Sequence, residues 1–215
     1  DNNLAAGLRT ETILADPSGR LARLQAEVGR RYAEPEWVRR RCAEVERRIR
    51  DGLPGADAMG RLFLTGVTTH VLLTAALRNP TVRTRYVAVR ALLAERGLLD
   101  VHEELLGLLG SAGMSRAEVE DELAVMTAEF DRAASVEGVP YAFASDISAR
   151  ARPIAVDATR ELIGRGLHRE IYFWIAATRL RCARILGTEP PPLRLGDTLG
   201  YLPRLTEVKE LVLAG

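Results

Sequence analysis

From Gly19 onward, apolar residues return at three- and four-residue intervals in one segment after another, and Gly or Pro closes each segment. That period is the helical one, and it limits the fold more than any other property of the chain. Residues 19–33 carry Leu21, Leu24 and Val28 on one face. Residues 35–51 carry Trp37 (or Val38), Cys42, Val45 and Ile49, and Leu53-Pro54-Gly55 ends them. Residues 56–78 are mostly apolar, which predicts a helix inside the core. Asn79 as cap and Pro80 at the first position predict a helix over 80–96, stopped by Gly97. A short helix over 99–109 follows. Ser115 and Glu118 form a capping box for a helix over 116–134, with Val119, Leu123, Met126 and Phe130 at core spacing. A further helix ends near Gly166. Residues 168–186 hold "IYFWIAA", apolar nearly all round, which predicts a central helix. "TEPPP" reads as a linker or rigid loop, and a helix over 203–213 ends the chain.

One segment breaks the pattern. In "LRTETILA", residues 8–15, Thr10, Thr12 and Ile13 are β-branched, which predicts a strand. "DPSG" after it suits a type I turn, with Asp16 able to cap a helix and Pro17 at its first position. The predicted fold class is all-α. It is a multi-helix bundle of about eight helices, preceded by one β-strand stub from a missing N-terminal domain. Residues 1–16 are the remnant of that domain and residues 17–215 the helical domain. A start at Asp1 rather than Met fits a piece cut from something longer.

The 215 residues are 47% apolar and 27% charged, enough for a real core. A net charge of +1 gives no overall field to draw in nucleic acid, so nucleic acid is not an expected partner. Lys209 is the sole lysine; the other positive charges are arginines. Two cysteines far apart, Cys42 and Cys182, make no disulfide framework and fit a reducing cytoplasm. The stretch Leu62 to Leu77 is interrupted by four threonines and His70, so no membrane partner is expected. A homodimer is left open.

The search for chemistry is mostly an exclusion. His70, His102 and His168 have no zinc spacing. There is no nucleophile elbow and no Gly-rich phosphate loop. Gly110-Ser111 followed by Glu118, Glu120 and Asp121 imitates the metal-binding motif of polymerase-β-type nucleotidyltransferases. Its acids fall inside a capped helix, however, where a solvated face is expected. Residues 17–51 set ten arginines against six acids, without an aromatic stacking set. A helix surface laced with ion pairs is the expectation there. His70 is expected to be a core histidine.

"YAFASDISARARPIAVDATRELI", residues 141–163, is the most chemically crowded stretch. Pro153 and Gly166 account for its breaks, and Asp157 with Arg160 for a surface pair. Arg150 and Arg152 beside Asp146 at a helix entrance are left over. The stretch is therefore read as half of a binding site, not as an active site.

"LRTETILADPSGRLARLQAEV", "GVTTHVLLTAALRNPTVRTRYVAVRALLAERG" and the stretch from Tyr141 to Leu186 together resemble the helical C-terminal part of bacterial proteins with a nucleotidyltransferase domain in front. The layout is similar to that of kanamycin-type nucleotidyltransferases. The resemblance implies that the catalytic domain, with its Mg2+ and nucleoside triphosphate, lies outside this chain. It makes Glu11 the one weak candidate for a third catalytic carboxylate. It implies that the helical part helps to bind nucleotide and a small-molecule acceptor. The substrate-binding candidates are Asp146, Arg150, Arg152, Asp157, Arg160, His168 and Arg169, with Arg78, Arg83 and Glu170 as further contacts. The alternative is a stand-alone α-helical module that binds protein or nucleic acid or dimerises.

Overall fold

The computed structural model describes residues 2–138 and 140–214; the outer bounds of the two expected domains, Asp1 and Gly215, lie outside the described residues. Ten α-helices and no strand occur among them: α1 (Asn2–Thr10), α2 (Arg20–Arg31), α3 (Pro35–Gly52), α4 (Ala58–Ala75), α5 (Arg85–Glu95), α6 (Leu99–Leu109), α7 (Arg116–Ala133), α8 (Ala158–Gly164), α9 (His168–Leu186) and α10 (Thr198–Ala214). No helix among them is long and apolar enough to cross a membrane.

Two apolar clusters hold the body together, and α9 belongs to both. Phe173, Ala176, Ala177 and Leu180 face a cluster built from α3, α4, α5, α6 and α10. Ile171, Ile175, Cys182 and Ile185 face a second cluster with α7, α8 and the turn before α8. A helix buried on both sides needs apolar residues nearly all round, as "IYFWIAA" supplies. In α4, four threonines sit in the core, and three of their hydroxyls find partners; that of Thr74 has none among the described residues. Thr68 Oγ1 donates to the Thr65 carbonyl and Thr69 Oγ1 to that of Gly66, both at 2.7 Å. The Thr65 and Thr198 hydroxyls meet at 2.9 Å and tie α4 to α10.

The expected β-strand stub is absent. Residues 2–10 are helix α1, and residues 11–15 have no regular structure. Leu4, Ala5, Ala6 and Leu8 favour a helix, and Thr10 Oγ1 turns back to the Ala6 carbonyl at 3.2 Å. Tertiary bonds then fix it: Gln25 Nε2 donates to the carbonyls of Leu8 and Glu11, both at 2.8 Å. Arg41 Nε donates to Asn2 Oδ1 at 3.1 Å. A lone strand has no such partners. The 16–19 turn forms, with Gly19 N–H donating to the Asp16 carbonyl at 3.0 Å. Asp16 Oδ2 accepts from Ala22 at 2.9 Å, so α2 begins at Arg20 rather than at Pro17.

Other boundaries move for local reasons. Residues 80–84 contain only a 3-10 turn, Val82–Thr84, before α5. The last helix starts five residues early because Asp197 Oδ1 accepts from Gly200 N–H at 2.9 Å, which places Pro203 inside α10. The Ser115–Glu118 capping box forms as expected: Ser115 N–H donates to Glu118 Oε2 at 2.7 Å, and Glu118 N–H donates to Ser115 Oγ at 3.3 Å. Gly110 ends α6 at φ 83°, and a Cβ there would meet the Arg194 carbonyl oxygen at 2.3 Å. This close approach lets residues 194–196, which follow "TEPPP", lie along α6, where Gly196 N–H donates to the Leu108 carbonyl at 2.9 Å.

Candidate ligand-binding site

Met59 and Phe63 are one helical turn apart in α4, and Trp174 and Arg181 are two turns apart in α9. Each pair therefore shares a face. The 3-10 turn brings Val82 and Arg83 beside them, and the segment after α7 closes the remaining side with Tyr141, Phe143, Asp146 and Ile154. Together these residues enclose a cavity of about 600 Å³.

Arg181 is its chemical centre. The side chain is only 8% exposed, and its nearest acid is Asp146, with Oδ2 3.6 Å from Nη1. That is a charge contact, too long for a hydrogen bond. The guanidinium lies against three aromatic rings: Trp174 at 5.1 Å, Phe63 at 5.6 Å and Phe143 at 5.8 Å from ring centre. Such contacts hold a cation at ~0.5–2 kcal/mol each, most when water is excluded. Three donors around the cavity have no acceptor among the described residues: Arg181 Nη1, Arg83 Nη1 and Trp174 Nε1. A buried donor without a partner costs ~1–3 kcal/mol. The arrangement can receive a ligand that brings acceptor atoms on an apolar, flat body.

Of the residues singled out in the sequence, only Asp146 and Arg83 line this cavity. Arg152 is committed elsewhere, donating to Asp131 through Nε at 2.7 Å and Nη2 at 3.0 Å. Asp157 and Arg160 pair at 3.0 Å on the surface. Arg150 is exposed. Arg169 grips Glu103 at 2.7 and 2.9 Å and the Ala112 carbonyl at 3.0 Å, which fastens α9 to α6. His168 opens α9 half-buried, and its Nδ1 has no hydrogen-bond partner among the described residues. Glu170 is buried in a charge cluster, 3.5 Å from Arg90 Nη1 and 3.6 Å from His102 Nε2. Burial holds the His102 imidazole below its ordinary pKa, although Glu170 opposes this. Arg78 pairs with Glu95. Glu11 lies exposed after α1, with no strand beneath it.

The remaining expectations are resolved by packing. His70 is a core residue, and burial, together with Arg85 and Arg48, pushes its pKa down to about 4. The acids after Gly110-Ser111 serve α7: Glu118 closes the capping box and Glu120 accepts from Arg116 at 2.8 Å. The arginine-rich segment is laced with Arg40–Glu36 at 2.6 Å, Arg47–Glu44 at 2.9 Å and Arg47–Asp51 at 3.1 Å. Among the described residues, no group of three or more His, Cys, Asp or Glu is placed to hold a metal ion.

Arg181, Trp174, Phe63 and Met59 escaped the sequence reading. The sequence signal was weak: Arg181 is one of three arginines that follow the apolar centre of α9, with Arg179 and Arg184. No family model matches the chain, and neither a curated protein nor a solved structure matches it.

Proposed function

We propose that this chain is a helical ligand-binding domain, and that the cavity between α4, α9 and residues 141–154 is where it holds a small organic molecule. One observation carries this: a buried arginine against three aromatic rings, whose Nη1 has no hydrogen-bond acceptor among the described residues, at the centre of a cavity large enough for a drug-sized ligand. In the wider reading, the molecule is the acceptor substrate of a nucleotidyltransferase-like protein. The catalytic domain, Mg2+ and nucleoside triphosphate belong to a part outside this chain. The helical layout of residues 66–97 and 141–186 supports that reading; the segment at 8–15, which is not a strand, does not. A cytoplasmic location fits two buried free thiols.

A stand-alone interaction module is the second reading, and α2 favours it. None of its residues is buried, and Leu21 and Leu24 are 44% and 50% exposed. Protein-observed NMR with a chemically mixed fragment set tests the first reading. Bound fragments are expected to shift Trp174 Nε1–H and the methyls of Met59, Val82 and Ile154. Shifts confined to α1–α3 would support the module instead.

A further inference from the structure

We infer that the cavity selects a small aromatic monocarboxylate, with its carboxylate against Arg181 and Arg83 and its ring against Trp174 and Phe143. This rests on the reading of the cavity as a ligand seat and adds the sign of charge and the shape of what sits there.

Charge comes first. The lining residues bring two guanidiniums and one carboxylate, so the site carries a surplus of one positive charge. Asp146 stands 3.6 Å from Arg181, outside hydrogen-bond range, and the guanidinium's Nη1 has no acceptor among the described residues. Arg83 forms no ion pair among the described residues, and its Nη1 lacks an acceptor. A planar guanidinium offers paired donors at the spacing of a carboxylate's two oxygens. Beside a guanidinium that is only 8% exposed, that pairing is stronger than at a fully exposed surface.

Other charge types fit less well. A cationic ligand would seek the faces of Trp174, Phe63 and Phe143, and Arg181 already occupies that position at 5.1–5.8 Å. A nucleoside triphosphate brings several negative charges against a surplus of one. The sequence also has no Gly-rich loop to supply backbone donors to phosphates. A neutral ligand would leave the positive surplus uncompensated.

Shape comes second. Apart from Arg83, Asp146, Thr81 and Arg181, every lining side chain is apolar or aromatic. About 600 Å³ holds a fused two-ring body comfortably.

The test is isothermal titration calorimetry of the 215-residue chain with four probes: 2-naphthoate, 2-naphthalenemethanol, 2-naphthylmethylamine and ATP. The naphthoate is expected to bind about tenfold or more tighter than the alcohol, as hydrogen bonds to charged groups imply. The amine and ATP are expected to bind more weakly still. Arg83→Gln and Arg181→Gln each lower naphthoate affinity about tenfold and leave alcohol affinity nearly unchanged. Arg83 is only half-buried, so its variant keeps the test valid if Arg181→Gln folds poorly. If the alcohol or amine matches the naphthoate, the sign of charge is wrong while the ligand seat stands. Tighter binding of ATP, an unchanged naphthoate affinity in Arg83→Gln, or no binding of any probe overturns the proposal. Fragment mapping judges the seat separately.

Discussion

A Cβ placed on Gly66 would stand 2.5 Å from Cε2 of Phe173, so α4 and α9 meet with the phenyl ring directly on the helix backbone. Phe173 is itself fixed by Phe63, edge-on at 5.5 Å, and by Tyr86 at 5.8 Å. That ring cannot swing aside, so a methyl at 66 must push the helices apart. Gly66→Ala is expected to destabilise the fold by ~1–3 kcal/mol, as overpacking of a filled core does. Urea denaturation measures it, and Phe173→Leu in the same chain should recover part of the loss. Trp174 and Arg181 ride on α9, so the variant should also weaken any ligand held in the cavity.

Arg152 is expected to matter for the segment, not for the ligand. Its two bonds to Asp131 tie the turn Pro153–Asp157 to α7. Hydrogen bonding from Arg152 holds the Asp131 carboxyl below its ordinary pKa. A depressed carboxylate pKa stabilises above the unfolded value of ~3.9, and that contribution is lost as pH falls through the folded value. Arg152→Ala should therefore speed amide exchange in residues 147–157 several-fold at pH 7. The difference from wild type should vanish in acid. Naphthoate affinity should stay within about twofold, against the tenfold loss expected for Arg181→Gln.

The helices were legible where local rules decide them. The Ser115–Glu118 box fixes the start of α7, and Gly97, Gly110 and Gly166, all at positive φ, close their helices as glycine permits. Legibility failed where a distant partner decides. Residues 8–15 carry β-branched residues, yet Gln25 and Arg41, 14 to 39 positions away, hold α1 as a helix. The cavity was half legible. Tyr141, Phe143 and Asp146 stood in the crowded stretch, whereas Phe63 and Arg181 looked like helix residues. Only the crossing of α4 and α9 brings them together, and no spacing along the chain encodes that crossing. Arg152 and Arg169 looked available in the sequence because their carboxylate partners, Asp131 and Glu103, meet them only in three dimensions, whereas the Asp157–Arg160 pair was legible from its spacing.

Both thiols are expected to be silent in the folded protein. Burial pushes Cys42 up to about 11 and Cys182 up to about 12, and both side chains are inaccessible. The thiolate is the reactive form, so at pH 8 neither should react with a disulfide reagent such as Ellman's on the timescale of an exposed cysteine. In guanidinium both should react promptly. A rapid reaction of one thiol in the native state would show that its helix opens locally, with α3 the element to inspect for Cys42 and α9 for Cys182.

Lys209 and Glu46 form a largely buried salt bridge between distant helices, with Nζ and Oε1 2.9 Å apart and each side chain 11% exposed. The pair joins α10 to α3. Burial alone would lower the lysine pKa, but the carboxylates of Glu46 and Glu210 outweigh it, and the net shift is upward. Removing Glu46 leaves the largely buried ammonium only the exposed Glu210 at 3.4 Å, so Glu46→Gln is expected to cost ~1–3 kcal/mol. Replacing both residues by Met removes the charge as well as its partner and should cost much less. The pH dependence has a fixed sign. A raised lysine pKa contributes stability that is complete below the unfolded value of ~10.4 and is lost as pH rises through the folded value. Urea denaturation of wild type and the double-Met variant at pH 7 and above pH ~10.4 should show the wild type losing stability relative to the variant. An unchanged difference would mean that the bridge contributes packing, not charge.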